Sequence, residues 1–295
     1  MTTAVNNSSS NSMTGKTVLV TGATNGVGEK TAEALASMGA RVFVHGRNPE
    51  KGARTVAAIK ESTGNHQVEF VESDFSDLDS VRDMAEQVKA KTNSLDVLVN
   101  NAGGMYKDRL LTKDGFEMTF GTNHLAHFLL THLLLDLLKA SAPARIITVS
   151  SIVHWVGKID FNDLQCEVRS TELHAYNQAK LANVLFTQEL ARRLEGTGVT
   201  ANALHPGAVR SGFGQNNESG IGKKIIQWVR PFLITPQKGA ETSVYLASSP
   251  DVASVTGSYF SNSKPARMAK KAKDQATARR LWDVSLAMTG LSPST

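Results

Sequence analysis

Two hydrophobic periods alternate along this chain. Short apolar runs rich in β-branched and aliphatic residues occur at Thr17 to Val20, Arg41 to His45, Gln67 to Val71, Leu95 to Val99, Arg145 to Val149 and Val199 to Leu204. Their near-continuous apolar character predicts strands buried on both faces. Between them, apolar positions recur at helical spacing. Helices are expected through Ala32, Ala34, Leu35 and Met38 to a stop at Gly39, and over Glu50 to Ser62 and Ser80 to Ala90. Further helices are expected over Gly115 to Lys139, Tyr176 to Glu195, Lys238 to Ala247 and Ala276 to Met288, with Gly257 to Phe260 as a last, edge strand.

This alternation predicts an α/β fold built on a mostly parallel sheet with right-handed crossovers and helices on its faces. The expected architecture is a single doubly wound domain over residues 14–295, with a seven-stranded sheet. Residues 1–13 are polar, rich in Ser and Asn, and lack a basic start followed by an apolar stretch, so a disordered tail is expected there, not a signal peptide. The region 211–234 begins as a Gly-rich loop and continues with Ile225, Ile226, Trp228, Val229, Phe232 and Leu233. It reads either as a lid over an apolar pocket or as a helix covering the sheet.

Composition narrows the class. The chain is 41% hydrophobic and 20% charged, as in soluble globular proteins. The longest apolar region, Leu125 to Leu138, is interrupted by His127, Thr131, His132 and Asp136, so no membrane span is expected. One cysteine, Cys166, excludes an internal disulfide and predicts a reducing, cytoplasmic setting. A net charge of +5 raises the question of nucleic acid, but the basic residues are mostly dispersed and no nucleic-acid-binding signature accompanies them. The denser run Arg267, Lys270, Lys271, Lys273, Arg279 and Arg280 reads as a solvated helix face.

Candidate chemistry begins at the end of the first strand, where Thr21-Gly22-Ala23-Thr24-Asn25-Gly26-Val27-Gly28 leads into a helix. Strand, glycine-rich turn and helix N-terminus form the setting in which backbone amides bind a dinucleotide pyrophosphate. The spacing here is Gly-x-x-x-Gly-x-Gly. The second strand ends in His45-Gly46-Arg47. A carboxylate at that tip would grip ribose hydroxyls, whereas a guanidinium pairs with a 2′-phosphate, so Arg47 favours NADP, with Asn25 as a neighbour. Asp74, just past the third strand, is either an acceptor for the adenine amino group or a helix cap. Asn100-Asn101-Ala102-Gly103 follows the fourth strand, and its small residues let backbone approach a ligand.

Ser150-Ser151 ends the fifth strand without a hydrolase elbow around it, so a hydroxyl that bonds a substrate oxygen is the better functional role, with helix capping as the structural alternative. Tyr176-Asn177-Gln178-Ala179-Lys180 places a phenol and an ammonium one helical turn apart on one face. A fixed cation there is expected to lower the phenol pKa toward what acid–base catalysis needs. His124, His127 and His132 lack a metal-ligand spacing and an accompanying carboxylate, so no metal is expected.

Together, Thr21-Gly22-x-x-x-Gly26-x-Gly28, Asn100-Asn101-Ala102-Gly103, Asn123, Ser151, Tyr176-x-x-x-Lys180 and Pro206-Gly207 resemble the short-chain dehydrogenase/reductase family from about Thr14 to Leu291. Asp160-Phe161-Asn162-Asp163-Leu164, the run Lys180 to Leu194 and Arg280-Leu281-Trp282-Asp283-Val284-Ser285 are further similar to its retinol-dehydrogenase-like branch. The resemblance implies a Rossmann-type fold and reversible NADP(H)-dependent reduction of a lipophilic aldehyde or ketone. Tyr176 would be the proton donor and acceptor, Lys180 would lower its pKa and bind the nicotinamide ribose, Ser151 would orient the substrate oxygen, and Asn123 would hold a water linking Lys180 to solvent. Gly22, Thr24, Asn25, Gly26, Val27 and Gly28 would hold the cofactor, as would Asn101, Ala102, Gly103, Pro206, Gly207, Val209 and Ser211. The resemblance also implies a homodimer formed through the helices Gly115 to Lys139 and Tyr176 to Glu195. The rival reading is a catalytically silent NADP-binding sensor or interaction protein, which would have no chemical need for Asn123, Ser151, Tyr176 and Lys180 together.

Overall fold

The strand Thr17–Val20 (β1) lies in the interior of the sheet, and its alternation shows how both faces are filled. Val18 and Val20 join one apolar cluster, and Leu19 joins another on the opposite face. The computed structural model describes residues 12–168, 171–209 and 233–292. In chain order, β1 is followed by Gly26–Ser37 (α1), Arg41–Gly46 (β2), Pro49–Thr63 (α2), Val68–Glu72 (β3), Leu78–Lys91 (α3) and Val97–Asn100 (β4). Next come Met118–Phe120 (α4), Ala126–Leu133 (α5), Leu135–Ala140 (α6), Ala144–Val149 (β5), Glu172–Arg193 (α7) and Val199–His205 (β6). Pro236–Ser248 (α8), Tyr259–Ser261 (β7), Lys264–Pro265 (β8) and Gln275–Met288 (α9) complete the described elements.

Among the described residues the sheet order is β3-β2-β1-β4-β5-β6-β7-β8, parallel through β7. Leu35 and Ala36 of α1, Ile59 of α2 and Leu246 of α8 pack on Val42, Val44, Val97 and Val99. On the other face, Met84 of α3, Phe128 of α5, Phe186 of α7 and Trp282 of α9 close over Phe43, Leu98 and Ile146. The sheet is therefore covered on both sides, and the order in which strands are added reverses between β1 and β4. That reversal opens a crevice at the carboxyl ends of these strands, where open α/β sheets bind ligands.

The structure differs from the sequence expectation in three places. The sheet has an eighth strand: Asn262 and Ser263, at φ +51° and +56°, make a two-residue turn that folds β8 back antiparallel on β7. Gly257 to Phe260 is thus not the edge, and Pro265 sits on the edge strand, where a missing N–H costs no ladder bond. The helix expected over Gly115 to Lys139 is broken. Gly115 adopts φ +83° in a turn, the Glu117 carboxylate caps the amides of Thr119 and Phe120 at 2.8 and 2.7 Å, and Gly121–Leu125 is a π-helical turn. Finally, Met13, counted within the expected tail, is buried in the core and donates its backbone N–H to Met38 O at 2.9 Å.

Three buried histidines make the fold acid-sensitive. Burial pushes the pKa down from 6.5 to about 4 for His45 and His124 and to about 3 for His127. Between those values and 6.5 the unfolded chain binds more protons than the folded one, so stability rises with pH across that window and is lost as pH falls through it. Urea unfolding of the apo protein is expected to show a lower midpoint at pH 5 than at pH 7. An unchanged or higher midpoint at pH 5 would contradict this.

Candidate active site

The glycine turn after β1 is shaped by what stands behind it. Gly22, at φ +61°, packs so closely on the loop after β4 that a Cβ there would lie 2.7 Å from Ala102 Cα. A Cβ on Gly28 would run into the carbonyl oxygen of Gly22 and the amide of Asn101. Asn25 is the N-cap residue of α1, yet its side chain makes no capping bond. The first-turn amides of α1 are therefore not engaged by that side chain, which leaves an N-terminus suited to an anion. These features fit a nucleotide pyrophosphate.

The loop is fixed by two histidines that the sequence reading did not assign to the site. Gly22 N–H donates to His45 Nδ1 at 3.0 Å, so the ring proton sits on Nε2, which donates to Ser73 O at 3.1 Å. The ring stacks on Phe75 with centroids 4.4 Å apart. His45 is thus held neutral, in agreement with its depressed pKa. His127 Nδ1 donates to Asn123 O at 3.1 Å, leaving Nε2 to accept from the Thr21 hydroxyl at 2.9 Å. The same Thr21 oxygen accepts the amides of Asn101 and Ala102 at 2.8 and 2.9 Å. One hydroxyl therefore joins the glycine turn, the Asn101-Ala102-Gly103 loop and the π turn. Neither histidine falls in a short motif, and only their fully buried position reveals the role.

A cleft of about 630 Å³ runs over these carboxyl ends. Gly22, Thr24, Asn25, Gly26, Val27 and Gly28 line it from β1 and α1, and Thr24 packs against Gly46 just before exposed Arg47. Arg47 and Asp74 line it from the ends of β2 and β3, and Asn101, Ala102 and Gly103 from the end of β4. Asp74 does not cap α3, because Asp77 does; one oxygen of Asp74 accepts from Ser76 N and Oγ at 2.9 and 2.8 Å. Pro206, Gly207 and Val209 line the cleft beyond β6, with Val209 bridged to Ile234. Ser211, and the expected lid up to residue 232, lie outside the described residues.

Ser151, Tyr176 and Lys180 meet in this cleft. Ser151 hydrogen-bonds the Tyr176 phenol. Lys180 is buried, donates from Nζ to Val149 O at 3.2 Å, and lies 5.5 Å from the Tyr176 ring centroid. Ser150 is buried and donates its hydroxyl to Lys180 O at 2.7 Å, tying α7 to the end of β5. Burial pushes Lys180 down to about 8 and Tyr176 up to about 12, with the Ser151 bond pulling the phenol the other way. The expectation that Lys180 lowers the Tyr176 pKa is therefore corrected: removing both groups from water dominates, and the hydrogen bond that opposes it comes from Ser151.

Asn123 is bound to the loop after β4. It does not line the cleft, and its amide is engaged on both sides by Gly104: Oδ1 accepts from Gly104 N and Nδ2 donates to Gly104 O, each at 2.8 Å. Gly103 lies between them, since a Cβ on it would fall 2.7 Å from Asn123 Oδ1 and 3.5 Å from Lys180 Nζ. Asn123 thus sets the backbone beside Lys180, with each end of its side-chain amide making one bond to Gly104.

The short chain dehydrogenase family profile matches residues 16–222, and the chain belongs to that family. Retinol dehydrogenase 12 of Homo sapiens is 46% identical over 277 residues, covering 94% of this chain and 87% of that protein. This places the chain in the retinol-dehydrogenase-like branch, among oxidoreductases that act on CH–OH groups. Among solved structures, an uncharacterized protein from Mycobacterium paratuberculosis aligns with a TM-score of 0.77 at 35% identity, covering 96% of both chains. A short chain dehydrogenase from Burkholderia cenocepacia in complex with NADP aligns with a TM-score of 0.68 at 26% identity, over 85% of this chain and 97% of that one. Among the described residues, no helix is long and apolar enough to cross a membrane.

Proposed function

We propose that this protein interconverts a lipophilic aldehyde or ketone and its alcohol with NADP(H), and that Tyr176 moves the proton. The observation that carries the reading is the meeting of Ser151, Tyr176 and Lys180 in the cleft whose other end is the glycine turn. When bound, the nicotinamide cofactor supplies or takes the hydride. In the reducing direction the hydroxyls of Ser151 and Tyr176 converge on the carbonyl oxygen and polarise it, and the phenol passes its proton to that oxygen. A phenol held near 12 is protonated at neutral pH and is ready to donate. Lys180, anchored on Val149 O, brings positive charge beside the phenolate that results. Gly22 and the first turn of α1 would hold the pyrophosphate, and Asp74, at the end of β3, would be the acceptor for the adenine amino group.

The choice of NADP is supported by Arg47, a guanidinium exposed at the tip of β2, where a carboxylate would repel a 2′-phosphate. The Burkholderia neighbour was solved with NADP. Apolar substrate is supported by Met105, Tyr106 and Leu233 in the cleft lining and by the name of the Homo sapiens relative. Loss of NADPH absorbance against a panel of retinal, medium-chain aldehydes and ketones tests the reading, with NADH run in parallel. Turnover with NADPH is expected. Tight NADPH binding with no turnover on the whole panel would favour a silent sensor.

Cofactor preference provides a separate test. Arg47→Asp is expected to reduce kcat/KM with NADPH by about a hundredfold, the loss of a charge-assisted phosphate contact plus a new repulsion, and to narrow or reverse the gap to NADH. An unchanged NADPH preference in this variant would remove Arg47 from the phosphate site.

A further inference from the structure

Behind Ser151 lies a fourth histidine that no motif marks. His154 is fully buried, on the short 3₁₀ turn Ile152–Trp155 that follows Ser151. The backbone N–H of Ala269 donates to His154 Nε2 at 3.2 Å. An amide nitrogen can only donate there, so Nε2 carries no proton and Nδ1 does. Nδ1 then donates to the backbone oxygen of Ser151 at 2.8 Å, and that oxygen also accepts His154 N at 3.2 Å. Both ring nitrogens are satisfied in one tautomer, and the ring packs 4.7 Å from Tyr259 on β7. Burial lowers the His154 pKa, which agrees with a neutral ring.

The consequence falls on Ser151. Its own hydroxyl is the N-cap acceptor of the same turn, at 3.4 Å from Val153 N, a weak bond at the limit of normal geometry. The hydroxyl also bonds Tyr176. A serine whose side chain has two competing uses needs its backbone held by something else. The carbonyl anchor from His154 does that, and it ties the serine through Ala269 to the segment that follows β8. We propose that His154 is the positioning residue for Ser151: it fixes the serine backbone so that the hydroxyl stays directed at Tyr176 and the substrate oxygen. The inference rests on the substrate-orienting role given to Ser151 above.

Two substitutions separate the two bonds. In His154→Asn the amide nitrogen stands near the place of Nδ1 and can still donate to Ser151 O, while the link to Ala269 is lost. In His154→Gln the amide oxygen stands near the place of Nε2 and can still accept from Ala269, while the link to Ser151 is lost. Both delete the ring, so both lose stability, and thermal unfolding and NADPH affinity measured on each provide the baseline. On a carbonyl that wild type reduces, His154→Gln is expected to lose kcat by about tenfold or more, the scale of a small misplacement at the reacting group, with NADPH affinity retained. His154→Asn is expected to stay within about threefold of wild-type kcat. If wild type is active and the two variants lose kcat equally, or in proportion to their loss of stability, His154 is a structural residue only and the proposal fails. If wild type itself reduces no carbonyl, the reading of Ser151 fails instead.

Discussion

Replacing Tyr176 by phenylalanine is expected to lower kcat for carbonyl reduction by about three orders of magnitude, within the range of a positioned general acid. The ring keeps its volume and its place beside Lys180, so the fold and the nucleotide site are expected to remain intact. Only the hydroxyl is lost. Ser151 then keeps a hydroxyl able to polarise the substrate, but the oxygen that develops charge has no group left to protonate it. Steady-state rates with NADPH, together with NADPH affinity by fluorescence titration, check this. A Phe variant that keeps more than about a tenth of wild-type kcat would take the general acid away from Tyr176.

The second large effect is expected at the glycine turn. Gly22→Val should weaken NADPH binding by about a hundredfold, or about 2.7 kcal/mol. The backbone at φ +61° is unfavourable for any residue with a Cβ and worse for a β-branched one. The added carbon would also lie 2.7 Å from Ala102 Cα, so the loop after β4 must move away from the turn. Gly15 offers a control. It too has positive φ, at +79°, but a Cβ there meets nothing within 4 Å. Gly15→Val carries backbone strain without disturbing the cleft, so it should lower thermal stability and leave NADPH affinity near wild type. Equal NADPH affinities in the two variants would contradict the cradle assigned to Gly22.

Much of this was legible in the sequence because it was local. Strands such as β1 and β4 could be read from runs like Thr17 to Val20 and Leu95 to Val99, since residues buried on both faces give a near-continuous apolar run. The glycine turn and the Tyr176–Lys180 pair each lie within one element, where spacing alone fixes geometry. What escaped was set by contacts between distant segments. Strand β8 depends on Asn262-Ser263, a left-handed turn without the glycine that would have announced it. The start of the helix at Met118, later than the expected Gly115, depends on Glu117 turning inward to cap two amides, a role that an acidic residue in a helical pattern does not reveal. Asn123 was singled out, but its partner Gly104 and the closeness of both to Lys180 appear only in three dimensions. The tyrosine–lysine pair shows the limit of an argument from spacing: it gives proximity, while the phenol pKa follows burial.

The proposed reaction is hydride transfer from NADPH to a carbonyl carbon within the Ser151–Tyr176–Lys180 cleft. The most direct measurement uses NADPH deuterated at the transferable position of nicotinamide C4, with an aldehyde that supports turnover, and reads deuterium in the alcohol by mass spectrometry. One deuterium is expected on the carbinol carbon from only one of the two C4-labelled epimers, with labelled alcohol falling about a thousandfold in Tyr176→Phe. Alcohol formed without deuterium from either epimer, or labelled equally by both, would contradict it.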